Sequence, residues 1–201
     1  MERIVLGSRN RKKLQEMIAL LGDLPVEFTD LTPYPQAPEV AETADSFLGN
    51  ATLKATQLAQ ALKTWVIGED SGLCVPALGG APGIYSARYA GVHGDDEANN
   101  AKLLGAMAHL TGDQRAAYYV STAVLANPQG EVVGYGEGRC HGFIATQRRG
   151  HGGFGYDPLF IVPAYGRTFG ELPPEVKQRL SHRAEALKQL RPILEQCLSR
   201  K

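Results

Sequence analysis

The chain has no surplus of charge of either sign: 21 Lys and Arg stand against 21 Asp and Glu, a formal net charge of +0. Proteins that grip nucleic acid by its phosphates carry a basic excess, so this balance argues against bulk nucleic-acid binding while leaving room for a locally basic pocket. Cysteine is scarce, with three in 201 residues. Cys74, Cys140 and Cys197 lie far apart, and no pair has metal-ligand or redox spacing. Reduced thiols in a cytoplasmic protein are expected. No run reaches the ~18 apolar residues of a membrane span. The N-terminus enters a strand-like run, Arg3-Ile4-Val5-Leu6, with no apolar leader segment. Neither a signal peptide nor a membrane partner is expected.

What remains is ordinary globular material, with 43% hydrophobic and 21% charged residues. That composition and length allow one large domain or two small lobes. Strands are predicted at Arg3 to Gly7, Pro25 to Thr29 and Thr64 to Gly68. Helical spacing of Leu14, Met17, Ile18 and Leu21 predicts a helix from Lys13 to Leu21. A second helix, capped by Asp45 or Thr43, runs to Leu62 with Phe47, Ala51, Ala55, Leu58 and Leu62 as its apolar stripe. A third spans Asp95 to about His109. Residues 76–94, rich in glycine, read as a long surface loop. Ala116 to Ala126 and Glu131 to Phe143 form a hairpin through Asn127-Pro128-Gln129-Gly130, and Leu159 to Val162 reads as a further strand. Arg183 to Leu198 is an amphipathic helix that Pro192 should kink or break. The order of elements predicts an α/β fold with a mixed sheet, a doubly wound core carrying an antiparallel extension.

The most informative stretch is Gly150-His151-Gly152-Gly153-Phe154-Gly155-Tyr156-Asp157-Pro158, with four glycines in nine residues. Glycine permits positive φ and close backbone approach to a ligand. Phe154 and Tyr156 offer flat faces for stacking, and Asp157 adds an acceptor. The same composition also suits a plain strand-entry loop.

Five further segments carry candidate chemistry. Ser8-Arg9-Asn10-Arg11-Lys12-Lys13 is a strand-to-helix turn, where amides and helix dipole favour an anion; it reads equally as a solvated basic turn with a helix cap. Lys13 is the first choice of ligand, with Arg9, Arg11 and Lys12 exposed. Glu69-Asp70-Ser71-Gly72 follows the strand Trp65 to Gly68, at the carboxyl end where open α/β sheets bind ligands. Two adjacent carboxylates there, with Glu42 as a further oxygen, could hold Mg²⁺, or form an acidic turn. Neighbours along a strand point to opposite faces, so one carboxylate would face the site and the other a structural partner. Lys54, one helical turn from Asn50, sits at the edge of its apolar stripe, to reach a phosphate or to snorkel to solvent. Lys177 and Ser181-His182-Arg183 precede the last helix. Ser181 is a cap there, and cations in a first turn are disfavoured, which hints at anion or base binding. Gly79 to Tyr89, with Arg88 among tyrosines, reads either as a pocket-shaping segment or as a loop held by tyrosine packing.

Taken together these segments resemble the inosine/xanthosine triphosphate pyrophosphatase family. The resemblance rests on Ser8-x-Asn10-x-x-Lys13, Glu42-Thr43 with Phe47-x-x-Asn50-Ala51-x-x-Lys54-Ala55, Asp70-Ser71-Gly72-Leu73, Gly79 through Tyr89, Gly152 through Pro158, and Lys177 with Ser181-His182-Arg183. It runs nearly end to end. It implies a single domain, residues 1–201, elongated, with two lobes and a central nucleotide-binding cleft, in a cytoplasmic homodimer. It implies Mg²⁺-dependent hydrolysis of dITP, ITP or XTP to monophosphate and pyrophosphate. By that matching Ser8, Arg9, Asn10, Arg11, Lys12, Lys13, Lys54 and Lys177 hold the triphosphate. Asp70 is metal ligand or general base, and Glu42 a second ligand. Ser71, Phe154, Gly155, Tyr156, Asp157, His182 and Arg183 surround sugar and base. Arg9 and Lys12 stand where glycines are common in that family, Ala41 and Gly49 where carboxylates are common, and Glu69 where aspartate is usual. The competing readings are a related pyrophosphatase for other modified nucleotides and a nucleotide-binding protein without catalysis.

Overall fold

The computed structural model describes residues 3–199. Seven strands and five α-helices are found among them: β1 (Arg3–Leu6), α1 (Arg11–Leu21), β2 (Glu27–Thr29), α2 (Phe47–Leu62), β3 (Trp65–Cys74), α3 (Asp96–Ala106), β4 (Ala116–Ala126), β5 (Val132–Ile144), β6 (Phe160–Val162), β7 (Arg167–Thr168), α4 (Pro174–Leu180) and α5 (His182–Ser199). The strands form one sheet in the order β2-β1-β3-β4-β5-β6-β7. β1 pairs in parallel with β2 and β3, while β5/β6 and β6/β7 are antiparallel. The mixed α/β sheet expected from the order of elements is present. No helix among the described residues is long and apolar enough to cross a membrane.

The chain divides into two compact units. The first takes residues 3–70, 121–138 and 182–199. Its α1 buries Leu14, Met17 and Leu21, the i, i+3, i+7 spacing of a helix with one apolar face. They join Ile4, Leu6, Ile67, Ala123, Leu125 and the α5 residues Leu187, Leu190 and Leu194 in one cluster. A second cluster in this unit sets Val5 and Val66 against Ala51, Ala55 and Leu58 of α2. The small residues of α2 have a purpose. A β-carbon at Gly68 would stand 2.5 Å from Ala55 N and collide with Ala51 O. The α2 backbone therefore lies directly on β3, which brings Lys54 over the acidic pair that follows Gly68. The second unit takes residues 71–120 and 139–181. Its core gathers Leu73, Leu103, Met107, Tyr119, Tyr156, Phe160 and Phe169.

Several expectations are corrected. Strand β3 continues to Cys74, so Glu69-Asp70-Ser71-Gly72 lies inside a strand and not in a turn after one. The run is long because nearly every residue of β3 is buried, and a strand covered on both faces does not show an alternating pattern. The cap of α2 is Ser46, whose side chain accepts from Gly49 N, in place of Asp45 or Thr43. Residues 76–94 are not featureless loop: 3-10 turns occur at Pro76–Leu78 and Gly83–Arg88. Pro192 does not break α5, which continues to Ser199. Leu187, Leu190 and Leu194 anchor this helix on both sides of the proline, and Pro192 itself is exposed, so the carbonyl it leaves unpaired can reach water.

Candidate active site

Asp70 and Glu69 are adjacent on β3 and meet different surroundings. Glu69 is 2% exposed. Its Oε1 accepts from Ser121 Oγ at 2.8 Å and from Arg183 Nη2 at 3.0 Å, and its Oε2 accepts from Lys13 Nζ at 2.9 Å. Arg183 also donates through Nη1 to Glu16. Asp70 faces Lys54, whose Nζ stands 3.2 Å from Asp70 Oδ1, 3.2 Å from Glu69 O and 2.5 Å from Glu42 Oε1. One ammonium thus gathers two carboxylates and a main-chain carbonyl. Asp70 Oδ2 is buried and has no hydrogen-bond partner.

The electrostatics separate the two carboxylates. Burial raises the Glu69 pKa, but Arg183 and Lys13 outweigh it and hold the group well below its ordinary value. These two cations favour Glu69 in its anionic form. For Asp70, burial dominates and pushes the pKa up; Lys54 and Lys13 oppose it, and Glu42 and Glu69 reinforce it. Lys54 feels burial as a lowering influence, yet Asp70 and Glu42 overcome this and raise its pKa. Neighbouring acids driven in opposite directions by their surroundings are the pattern expected of a site with one structural and one chemically active carboxyl group.

Among the described residues, no group of three or more His, Cys, Asp or Glu forms a metal cage. The pair Glu42 and Asp70 still suits a hard divalent cation. Such ions take oxygen donors and are commonly bound through one or two carboxylates plus substrate phosphates. The ammonium of Lys54 already draws both carboxylates together, and Asp70 Oδ2 is an unused buried oxygen.

In the second unit, the glycine-rich loop is tightly tied down. Asp157, 1% exposed, accepts from Phe154 N at 2.9 Å, Tyr119 Oη at 3.2 Å and Lys177 Nζ at 2.6 Å. Lys177 Nζ also lies 4.2 Å from the Phe154 ring centroid. Tyr156 is buried, and its hydroxyl donates to Ser86 O at 2.8 Å; burial pushes that hydroxyl's pKa up. Gly153 and Gly155 adopt φ of 72° and 58°, a region that other residues rarely enter.

The structure thus brings Lys13, Lys54, Glu42, Asp70 and Arg183 into one cluster of the first unit, and Phe154, Gly155, Tyr156, Asp157 and Lys177 into one of the second. Tyr156 is corrected as a stacking face: its ring belongs to the core, leaving half-buried Phe154. Lys177, assigned with the triphosphate ligands, pairs with Asp157 in the second unit. Arg183, 1% exposed, is held by two carboxylates, and His182 is buried beside it in sequence. In the basic turn Arg9, Asn10, Arg11 and Lys12 are exposed, and Ser8 and Ser71 are half-buried. Asn10 Oδ1 caps α1 through Lys12 N and Lys13 N, and Ser8 Oγ accepts from Asn10 N at 3.1 Å. The sequence reading missed Glu16, Ser121 and Tyr119. Only Glu16 carried a signal, as an acid one turn from Lys13 on the same helix.

The Ham1 family model matches residues 4–193. A dITP/XTP pyrophosphatase of Rhodopirellula baltica is 49% identical over 191 residues, covering 95% of this chain and 92% of that protein. One of Geobacillus kaustophilus is 46% identical over 190 residues, covering 94% and 93%. The solved structure of a HAM1 protein from Coxiella burnetii superposes with a TM-score of 0.88 at 38% identity, covering 98% of this chain and 100% of that one. The match of sequence and fold over almost the whole length shows that the chain belongs to the Ham1 family.

Proposed function

We propose that this chain is a nucleoside triphosphate pyrophosphatase that hydrolyses dITP, ITP and XTP to the monophosphate and pyrophosphate, clearing non-standard purines from the nucleotide pool. The observation that carries the reading is the Lys54 cluster, one ammonium gathering Glu42 and Asp70 beside an unpartnered buried oxygen. Relatives that match over nearly the whole chain and are named dITP/XTP pyrophosphatase support it.

Water adds across the α–β anhydride. Its oxygen bonds to phosphorus, the bridging P–O bond breaks, and pyrophosphate departs with that bond's electron pair. Lys13 and Lys54, held in place by their carboxylate partners, anchor the phosphate charge. Asp70 takes the proton from water or holds the metal, with Glu42 as second ligand. Glu42 and Asp70 would hold Mg²⁺, which would supply charge neutralisation on the phosphates. Phe154 supplies the flat face for the purine. A site built to hydrogen-bond a 6-oxo group rejects a 6-amino group strongly, because buried donors are left unpaired. The same reading includes a single domain with two lobes and a nucleotide-binding cleft, a homodimer and a cytoplasmic location, without nucleic-acid or membrane partners.

The test is pyrophosphate release from ITP, XTP, dITP, ATP and GTP, with Mg²⁺ and with EDTA, for the wild type and Asp70→Asn. Metal-dependent cleavage of the first three, with loss of about 10²-fold or more in kcat for the variant, is expected. Nucleotide binding without cleavage in the wild type would leave a nucleotide-binding protein.

A further inference from the structure

Helix α3 buries two asparagines beside its core residue Leu103. Asn99 and Asn100 are 2% and 0% exposed, at positions where an apolar side chain would pack without a hydrogen-bonding requirement. Both serve as clamps on loops. Asn99 accepts from Ala90 N at 2.7 Å and donates to Ala87 O at 3.3 Å, which ties down the glycine- and tyrosine-rich segment ending at Tyr89. Lys102 Nζ adds a bond to Tyr89 O at 2.7 Å.

One turn earlier the helix grips the glycine-rich loop. Asp96 Oδ2 accepts from Gly155 N at 2.8 Å, and Asn100 Nδ2 donates to Gly155 O at 2.8 Å and to Asp96 O at 2.6 Å. The peptides on both sides of Gly155 are therefore fixed by side chains of α3. This is the residue whose φ of 58° turns the loop. Phe154 is held from its other side by Phe154 N donating to Asp157 Oδ2. The arrangement leaves Asn100 Oδ1 buried without a partner. A buried acceptor without a partner is destabilising, so stability alone does not account for asparagine here. What asparagine provides is a donor aimed at Gly155 O.

We propose that Asp96 and Asn100 are positioning residues for purine discrimination: by fixing the two peptides that flank Gly155, they hold Phe154 and the Asp157 segment in the single conformation that reads the base. The inference rests on the proposed nucleotide function and assigns its base selectivity to a helix that need not touch the substrate. A loop that can shift accommodates a wrong exocyclic group; a loop held on both sides does not.

Asp96 lies in the first turn of α3 and is half-buried, so Asp96→Ala is a folding-tolerant probe, and Asp96→Asn is the conservative control that keeps an acceptor for Gly155 N. Asn100→Ser, which withdraws the donor from Gly155 O, tests the other side of the clamp. For each, kcat and KM with ITP, XTP, ATP and GTP, the IMP dissociation constant by calorimetry and the Tm are measured. Asp96→Ala is expected to raise KM for ITP and Kd for IMP about tenfold, the equivalent of one lost hydrogen bond. kcat should change less than KM, and the preference for ITP over ATP should shrink several-fold. Asp96→Asn should restore most of the affinity. Unchanged IMP affinity and unchanged preference in both Asp96→Ala and Asn100→Ser would overturn the proposal. So would an equal loss of kcat on every substrate, or an Asp96→Asn variant as damaged as Asp96→Ala. If the wild type cleaves none of the four nucleotides, the functional reading itself fails, and that is seen before any variant is compared.

Discussion

Glu69 shows how one buried residue decides the arrangement around it. It accepts from a serine, a lysine and an arginine, so it holds one neutral donor and is the counter-charge of two cations. Removing one member of a buried ionic network leaves the others unpaired and costs about 3–5 kcal/mol. Glu69→Gln is therefore expected to lower Tm by about 10 °C in thermal denaturation. The sign of the pH effect follows from the direction of the shift. Because the native Glu69 pKa is depressed, the native state binds fewer protons than the unfolded state in acid. Its stabilisation is full above the ordinary carboxylate range and is lost as pH falls through the native value. The acid limb of Tm against pH should be flatter in Glu69→Gln than in the wild type. Cys140 runs the other way. Burial pushes its thiol up to about 11, so the unfolded state deprotonates first and this group's contribution falls as pH rises above about 8.5. Alkylation at pH 8 is expected to modify the half-buried Cys197 well before Cys140; mass spectrometry of the modified sites checks this, and equal labelling of the two would refute it.

At the scale of the element, close approach of backbones does most of the positioning. Gly68 exists so that α2 can lie on β3, with Lys54 over Asp70. Gly68→Val would place side-chain carbons where Ala51 O and Ala55 N now stand. The helix must move, and overpacking of this kind costs about 1–3 kcal/mol. Activity is expected to fall further than stability, because Lys54 loses its geometry with Glu42 and Asp70 while the cores persist. Comparing kcat with the urea midpoint of the same variant measures that difference. The cap of α1 makes a contrasting case. Asn10 binds Lys12 N and Lys13 N, so Asn10→Ala should cost about 1 kcal/mol, readable in the same denaturation curves.

For the molecule as a whole, charge balance governs what it avoids. With a formal net charge of +0, the chain should pass through a DNA-cellulose column at physiological salt without retention. Retention there that weakens steeply with salt would contradict the proposal that nucleic acid is not a partner.

Local pattern was enough for the order of elements through β6, for α5, for the mixed α/β class and for most polar residues near Lys54, but not for the short β7 and α4 between β6 and α5. The spacing of Leu14, Met17 and Leu21, the Asn-Pro-Gln-Gly hairpin and the Gly150 to Pro158 loop are short-range signals that require no partner to be read. That Glu69 and Asp70 should meet different surroundings was legible from sequence alone, because adjacent residues on a strand face opposite ways. Only the tertiary structure decided which partner each takes. Arg183 reaches Glu69 across 114 residues of chain, Tyr156 turns into the core, and Asn99 and Asn100 are buried on α3 beside Leu103. An ion pair or a buried amide depends on which backbones approach one another, and that approach is set by the packing of whole elements, which no local window of sequence contains.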